Sequence, residues 1–130
     1  VAGLIAVDTS ALIAIVLDEP SAEACMAALE TDDALLISAG TVAEALSVAE
    51  RRGVGEEMIE LIGGMGFEVA GVTLADAHRV AGAYRRWGKG VHPASLNFGD
   101  CFAYALAHQQ DCPLLYVGRD FAATDVQSAL

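Results

Sequence analysis

The residues of this chain that could perform chemistry are carboxylates placed where apolar segments end. Asp8 directly follows the apolar run 4–7, and Asp120 follows the run 113–117 after two residues. Short, continuous apolar runs are typical of buried strands in a parallel sheet, whose ligands bind beyond the carboxyl ends of the strands. Both acids are therefore candidates for a functional site. We expect Asp8 to have no role in helix capping, because Ser10 is the predicted N-cap of the next helix. Asp120 could also be an ordinary turn residue.

Two further acids are predicted in the first turns of helices. Each lies three residues after a residue that can cap a helix. This is the spacing of a capping box, in which the first-turn acid accepts a hydrogen bond from the N-cap amide. A third acid has the same spacing, so the local pattern leaves capping and catalysis open for all three. The three patterns are Thr41-x-x-Glu44, Thr73-x-x-Asp76 and Asn97-x-x-Asp100.

Asp100 belongs to a predicted helix that is apolar or small on almost every side. In the segment 96–108, Phe98 and Phe102 fall on one broad apolar face at 3.6 residues per turn. Asp100 lies on the opposite side, in line with Tyr104. Such a helix is predicted to be packed on both sides. An acid on it therefore either caps the helix or points into a metal-binding cleft.

Carboxylates gathered at one edge of a sheet need a counter-charge. Two of them about 4 Å apart repel by roughly 4 kcal/mol at an effective dielectric constant of about 20. A cluster of three or four is therefore tolerated only when some members are protonated or a divalent cation lies among them. Oxygen ligands favour Mg²⁺ or Mn²⁺ over zinc, and such an ion activates a bound water and stabilises charge on a scissile phosphate. The residue types thus predict metal-assisted hydrolysis of a phosphodiester.

The elements that must position these acids alternate between strands and helices. This alternation predicts one α/β domain, residues 1–130, built as a three-layer α/β/α sandwich with a mainly parallel sheet. Strands are predicted at residues 4–7, 34–37, 67–72 and 113–117, and helices at 11–17, 20–30, 41–52, 55–62, 73–87 and 97–108.

Composition and charge limit the classes of function. The net charge is −11, from 18 acids and 7 bases, which argues against sequence-independent binding to duplex nucleic acid.

No apolar run approaches the roughly 18 residues of a membrane span. Asp8 interrupts the apolar first 17 residues and no basic segment precedes them, so we interpret them as a strand and a helix rather than a signal peptide. We therefore expect a cytoplasmic protein. The three cysteines lack CxxC spacing, which favours reduced thiols over a zinc site.

Four segments together resemble the PIN-domain ribonuclease toxins of the VapC type. The resemblance implies a PIN-like fold and an Mg²⁺- or Mn²⁺-dependent endoribonuclease, the toxin half of a toxin–antitoxin pair. It further implies a homodimer that a VapB-like antitoxin neutralises by covering the acidic groove, and RNA cleavage that leaves a 5′ phosphate and a 3′ hydroxyl. The segments are VDTSA at 7–11, TVAEAL at 41–46, LNFGDCFAYALA at 96–107 and LLYVGRDFAATD at 114–125.

The resemblance also assigns site residues. The family's acidic cluster corresponds to Asp8, Glu44, Asp100 and Asp120. Asp8 and Asp100 are the implied direct metal ligands, and Asp125 could share or replace the role of Asp120. Asp76 has no counterpart in the family's cluster and serves as an internal control. Hydroxyl groups that could hold the carboxylates or the metal's waters are those of Thr9, Ser10 and Thr124.

Contacts with RNA are expected from a basic segment, because four of the seven bases fall between residues 79 and 89. Trp87 and Tyr84 could stack on unpaired bases, as recognition of single-stranded RNA commonly requires. Alternatively, Tyr84 and Leu74 face the core and the arginines form an ordinary solvated helix face. The candidates for RNA contact are Arg85, Arg86 and Lys89, together with His92.

Two other functions are compatible with the same residues. One is a catalytically inactive PIN-like module that binds RNA. The other is a phosphatase of the haloacid-dehalogenase type, which also has an Asp after its first strand. Such a phosphatase would normally have a second Asp two residues further on, where this chain has Ser10.

Overall fold

A parallel sheet runs through the structure, a computed structural model that describes residues 3–31 and 33–130. Its strands are β1 (Leu4–Val7), β2 (Ala34–Ser38), β3 (Glu68–Ala70) and β4 (Leu114–Leu115), in the order β3-β2-β1-β4. The helices are α1 (Thr9–Val16), α2 (Ala22–Leu29), α3 (Ala39–Arg51), α4 (Gly55–Gly64), α5 (Leu74–Trp87) and α6 (Phe98–Gln110). A 3₁₀ turn, Phe121–Ala123, follows β4.

Strand residues alternate between two apolar cores, one on each face of the sheet. Ile5 and Val7 of β1 lie in the core shared with α1 to α4, whereas Ala6 lies in the core shared with α5 and α6. This follows from the two-residue period of a strand, which directs successive side chains to opposite faces. The predicted α/β/α sandwich is thereby confirmed. Because β1 is apolar on both faces, its first polar residue appears where the strand ends, at Asp8.

The edge formed by the carboxyl ends of β1 and β4 is where candidate acids meet. The two strands are parallel, with Val7 opposite Leu115, and Asp8 N donates a hydrogen bond to the Leu115 carbonyl at 3.0 Å. β4 is shorter than the predicted strand 113–117, so the loop before Asp120 begins two residues earlier than expected. The chain that leaves β4 therefore starts directly beside Asp8.

α1 begins earlier than predicted because the end of β1 caps it. Asp8 is the N-cap, and its extended backbone lets the carboxylate accept a hydrogen bond from Ser10 N. The predictions that Ser10 caps this helix and that Asp8 has no capping role are therefore wrong. The strand passes into α1 at Thr9 without an intervening loop, which leaves no room for a later cap.

α6 is buried over most of its length, but its first residue is not. Phe102 packs against Gly40 of α3, where an added Cβ would overlap the aromatic ring. Phe98 is 67% exposed and meets the ring of Phe102 edge-on at 5.1 Å between centroids. The prediction that Phe98 lies on a packed face is wrong. The apolar period of the sequence extends to this first residue of α6, but the packing against other elements does not extend that far.

None of the helices in the described residues is both long and apolar enough to cross a membrane. The three cysteines are buried and unpaired, in agreement with the expectation of reduced thiols.

Candidate active site

Asp8 lies at the junction of β1 and α1 and is 2% exposed. Its Oδ2 accepts hydrogen bonds from Ser10 N at 3.0 Å and from Ser10 Oγ at 2.6 Å. Its Oδ1 is buried and has no hydrogen-bond partner among the described residues. Burial, partly opposed by the hydrogen bonds from Ser10, raises the pKa of Asp8 to about 7. The protein therefore holds one oxygen of this carboxylate by hydrogen bonds and leaves the other, a buried oxygen, without a partner among the described residues.

Glu44 reaches the same region from the second turn of α3. This helix begins at Ala39 with Ser38 as its N-cap, so the predicted capping box of Thr41 and Glu44 is wrong. The cap lies earlier because β2 passes directly into the helix and Ser38 supplies the first available hydroxyl. The Glu44 carboxylate instead accepts a hydrogen bond from Thr9 Oγ1 at 2.6 Å. Glu44 is thus tied to the residue that follows Asp8 in the chain.

A glycine allows Glu44 to approach the start of α6. A Cβ built on Gly99 would overlap the Glu44 carboxylate, so a larger residue could not occupy this position without displacing the acid. Repulsion from Glu44 contributes to the raised pKa of both Asp8 and Asp100. The pattern of acids does not point to Gly99; the available signal is a glycine in the first turn of a predicted helix.

Asp100 both caps α6 and faces the other acids. Its Oδ2 accepts a hydrogen bond from Asn97 N at 2.9 Å, and Asn97 Oδ1 accepts one from Asp100 N at 2.8 Å, which is the predicted capping box. Burial raises the pKa of Asp100 to about 6, and repulsion from Glu44 and Asp120 acts in the same direction. The capping hydrogen bond opposes the shift but does not cancel it.

Asp76 forms the same capping box at the start of α5, and its pKa moves in the opposite direction. Its carboxylate accepts a hydrogen bond from Thr73 N at 3.0 Å and pairs with Arg79 Nη1 at 2.8 Å. The hydrogen bonds from Thr73, with the attraction of Arg79, lower the pKa of Asp76. Because the capping geometry is shared, the contrast with Asp100 comes from the surroundings. Asp100 loses solvent through burial and has acidic neighbours, whereas Asp76 pairs with Arg79.

Asp120 joins the other acids from the loop that follows β4. It is exposed, and its charge contributes to the raised pKa of Asp100. The start of this loop is held by a hydrogen bond of 3.0 Å from Val117 N to Ser10 Oγ, the same hydroxyl that donates to Asp8. The structure therefore gathers at one edge of the sheet the acids Asp8, Glu44, Asp100 and Asp120.

Two residues of the C-terminal segment have other partners. Asp125 accepts a hydrogen bond from Tyr104 Oη at 2.6 Å, and its other oxygen lies 3.8 Å from Arg86 Nη1. Thr124 Oγ1 donates to the Phe121 carbonyl at 2.7 Å. Of the three hydroxyl residues expected to hold carboxylates or the metal's waters, Thr9 and Ser10 contact site acids, whereas Thr124 is engaged by backbone.

These carboxylates suit a hydrated Mg²⁺ or Mn²⁺ ion. Within residues 3–31 and 33–130, no three His, Cys, Asp or Glu side chains lie close enough together to hold one ion directly. Mg²⁺ commonly binds through one or two carboxylates and keeps several waters, so a closed set of ligands is not required. The unpaired Oδ1 of Asp8 and the raised pKa values of Asp8 and Asp100 identify two carboxylates that a cation would stabilise in their ionised form.

The basic segment divides into exposed and packed residues. Arg85 and Lys89 are exposed. The guanidinium of Arg86 lies 4.5 Å from the centroid of the Trp87 ring, a cation–π arrangement. Trp87 is 8% exposed and its ring packs edge-on against His92 at 4.7 Å, so the prediction that Trp87 stacks on RNA bases is wrong. His92 is half-buried, and its contact with RNA stays a prediction.

Two apolar residues of α5 lie outside the buried stripe of the helix. Val80, Ala83 and Trp87 form that stripe, whereas Tyr84 is 40% exposed and Leu74, the first helical residue, is 78% exposed. The alternative prediction that Tyr84 and Leu74 face the core is therefore wrong. Tyr84 keeps a ring surface that solvent and ligands can reach.

Comparison with known proteins identifies the family. Residues 5–127 match the PIN domain family. Ribonuclease VapC30 of Mycobacterium tuberculosis is 41% identical over 123 residues, which cover 92% of this chain and 94% of the relative. The crystal structure of Mycobacterium tuberculosis VapC20, described as a sarcin-ricin loop cleaving toxin, aligns with a TM-score of 0.77 at 16% identity and covers 94% of this chain and 95% of its own. A toxin–antitoxin complex from Klebsiella pneumoniae aligns with a TM-score of 0.70 at 18% identity, covering 99% and 98%.

The parallel sheet, the acids at its edge and these similarities agree, and the chain belongs to the PIN-domain family. The predicted resemblance to the VapC type is confirmed by the curated relatives, which are VapC ribonucleases. The distant structural neighbours independently confirm the fold.

Proposed function

We propose that this chain is the toxin of a VapBC-type pair and that it is an endoribonuclease using Mg²⁺ or Mn²⁺, with residues 1–130 forming one catalytic domain. The observation that carries the proposal is the Asp8 carboxylate, which is buried beside other acids with one oxygen held by Ser10 and the other unpaired. The relatives named as VapC ribonucleases support the choice of RNA as the substrate.

Each proposed site residue has a defined part in the reaction. Asp8 and Asp100 would hold the cation, directly or through water, and Glu44 and Asp120 would complete its surroundings and orient the attacking water. When bound, such an ion lowers the pKa of a water and stabilises charge on the phosphate. The reaction is an in-line attack on the phosphodiester that leaves a 5′ phosphate and a 3′ hydroxyl.

Hydrogen bonds prepare these acids before substrate arrives. Ser10 fixes Asp8 through Oδ2, Thr9 fixes Glu44 through Oε1, and the cap at Asn97 fixes Asp100. Side chains already locked in position lose little freedom when the transition state forms, which is how preorganised sites accelerate reactions. We infer that the neighbouring hydroxyl residues serve orientation rather than proton transfer.

Partners follow from the same proposal. We infer that a VapB-like antitoxin neutralises the toxin by covering its acidic groove, that the active form is a homodimer and that it acts in the cytoplasm, where its RNA substrate is found. The structural similarity to a toxin–antitoxin complex from Klebsiella pneumoniae supports the proposal of an antitoxin partner. Arg85 and Lys89, with Arg86 in a secondary role because it contacts Trp87 and Asp125, provide positive charge for the RNA backbone.

A paired assay tests the proposal. The protein is incubated with single-stranded RNA or with a phosphomonoester, each with Mg²⁺, with Mn²⁺ and with EDTA. We expect metal-dependent cleavage of RNA, products with 5′ phosphates and no release of phosphate from the monoester. Phosphate release without RNA cleavage would favour the haloacid-dehalogenase-like alternative. RNA binding without cleavage under any metal condition would favour the inactive RNA-binding module.

A further inference from the structure

Asp120 lies in an exposed loop, so its position depends on the neighbouring residues that hold the loop in place. The Asp120 loop, residues 116–120, turns at Gly118, which has a φ of +101°, and Asp120 itself is exposed. A carboxylate on such a loop orients a water more precisely when the loop is held at both ends. The start of the loop is held by the hydrogen bond from Val117 N to Ser10 Oγ.

The segment that follows the loop is held to α6 by a side-chain pair. Phe121 is 2% exposed and packs on Tyr116 at 5.3 Å between ring centroids, which buries the residue next to Asp120. Four residues later, Asp125 accepts a hydrogen bond from Tyr104 Oη at 2.6 Å. Within the described residues, this is the side-chain hydrogen bond that joins the segment 116–126 to α6.

Tyr104 can fix the segment that contains Asp125 relative to α6. It is 5% exposed and lies four residues after Asp100, on the same side of the helix. Burial and, to a smaller extent, the hydrogen bond to Asp125 raise the pKa of Tyr104 to about 12. The hydroxyl is therefore protonated at neutral pH and can donate. Arg86 balances the charge of Asp125 from 3.8 Å and therefore reduces the cost of holding a carboxylate there.

Resting on the function proposed above, we propose that Tyr104 and Asp125 are positioning residues that fix Asp120 relative to Asp100. The two acids lie on different elements, and the pair joins those elements at a point one helical turn from Asp100. Asp125 acts in this arrangement through its hydrogen bond to Tyr104 and contacts neither the cation nor the RNA.

Three variants separate positioning from catalysis. Tyr104→Phe and Asp125→Ala both remove the hydrogen bond, and each is expected to lower kcat by about tenfold to a hundredfold, because displacements near 1 Å have effects of this size, with little change in KM. Asp125→Asn keeps an oxygen that accepts from Tyr104 and is expected to retain at least about half of the wild-type kcat. Tyr116→Phe is the matched control, since it removes a hydroxyl from a neighbouring tyrosine whose ring provides the packing on Phe121.

The double-variant comparison gives the readout that a merely structural role would not produce. In an Asp120→Asn background, Tyr104→Phe is expected to cause no further loss of residual activity. Loss by the same factor in both backgrounds would overturn the proposal, as would an Asp125→Asn variant as damaged as Asp125→Ala, which would make Asp125 a direct site acid. Full activity of Tyr104→Phe would also overturn it.

Hydrogen exchange tests whether the Tyr104–Asp125 hydrogen bond holds the loop, without relying on catalysis. Backbone amides of residues 117–123 are expected to exchange faster in Tyr104→Phe than in the wild type, while those of α3 are unchanged. Unchanged exchange in 117–123 would overturn the proposal even if the ribonuclease activity is as proposed. Absence of RNA cleavage by the wild-type protein would instead count against the proposed function, so the two failures are distinguishable.

Discussion

Replacing Asp8 with asparagine is expected to stabilise the metal-free protein at neutral pH while abolishing its activity. The Asp8 side chain is 2% exposed, with Oδ1 unpaired and Oδ2 bonded to Ser10. Asparagine has nearly the same shape and keeps an oxygen that can accept the hydrogen bonds from Ser10. It carries no charge to be removed from water, which is the main cost of burying the native carboxylate.

The size of the effect follows from the pKa of Asp8, which burial raises from 3.8 to about 7. A carboxyl whose pKa is higher in the folded state binds its proton more tightly there. The free energy of unfolding therefore falls as the pH rises from 3.8 to about 7. At about 1.4 kcal/mol per pKa unit, full ionisation of Asp8 costs on the order of 4 kcal/mol, and about 3 kcal/mol of this arises between pH 5 and pH 8.

Urea unfolding in EDTA at pH 5 and pH 8 measures this cost directly. Between these conditions the wild type is expected to lose about 3 kcal/mol more than Asp8→Asn, so that the variant is the more stable protein at pH 8. Adding Mg²⁺ at pH 8 should stabilise the wild type and have little effect on the variant. An identical pH dependence of the two proteins, or a variant less stable than the wild type at pH 8, would refute the reasoning.

Substitutions elsewhere separate packing from charge. Gly99→Ala places a Cβ on the Glu44 carboxylate and is expected to cost about 1–3 kcal/mol of stability as well as activity, whereas Gly63→Ala in α4 meets no atom within 4 Å and should be neutral or stabilising by up to about 1 kcal/mol. Equal urea midpoints for the two variants would contradict the close approach of Glu44 to Gly99. Arg85→Ala and Lys89→Ala should each raise KM for RNA severalfold with kcat unchanged, and lower the slope of log affinity against log salt by about 0.7 per lost phosphate contact. A loss confined to kcat would remove these residues from the RNA-binding surface.

The arrangement of strands and helices could be predicted from the sequence because it depends on local apolar periodicity. The runs at 4–7 and 34–37 are apolar on both faces, which a parallel sheet between two helical layers requires. The helix starts were less predictable. Asp8 and Ser38 became N-caps because β1 and β2 pass into helices without a loop, and the length of such a junction is decided by tertiary structure.

The acidic positions could likewise be proposed from sequence, but their supporting contacts could not. Thr9 and Glu44 are 35 residues apart, and their hydrogen bond exists only because α1 and α3 pack together. The requirement for glycine at position 99 arises from the same packing. The burial of Trp87 depends on how α5 lies against α6, and the pattern of one helix does not contain that information.

The central claim, that acids of shared local pattern differ in function because of their surroundings, is tested most directly by Asp100→Asn and Asp76→Asn. Both acids form the same capping box, but Asp100 lies among carboxylates and Asp76 beside Arg79. RNA cleavage is measured with Mg²⁺ at equal concentrations of folded protein. We predict that Asp100→Asn abolishes cleavage while Asp76→Asn cleaves at the wild-type rate. Cleavage at the wild-type rate by Asp100→Asn, or an equal loss in both variants, would contradict the account.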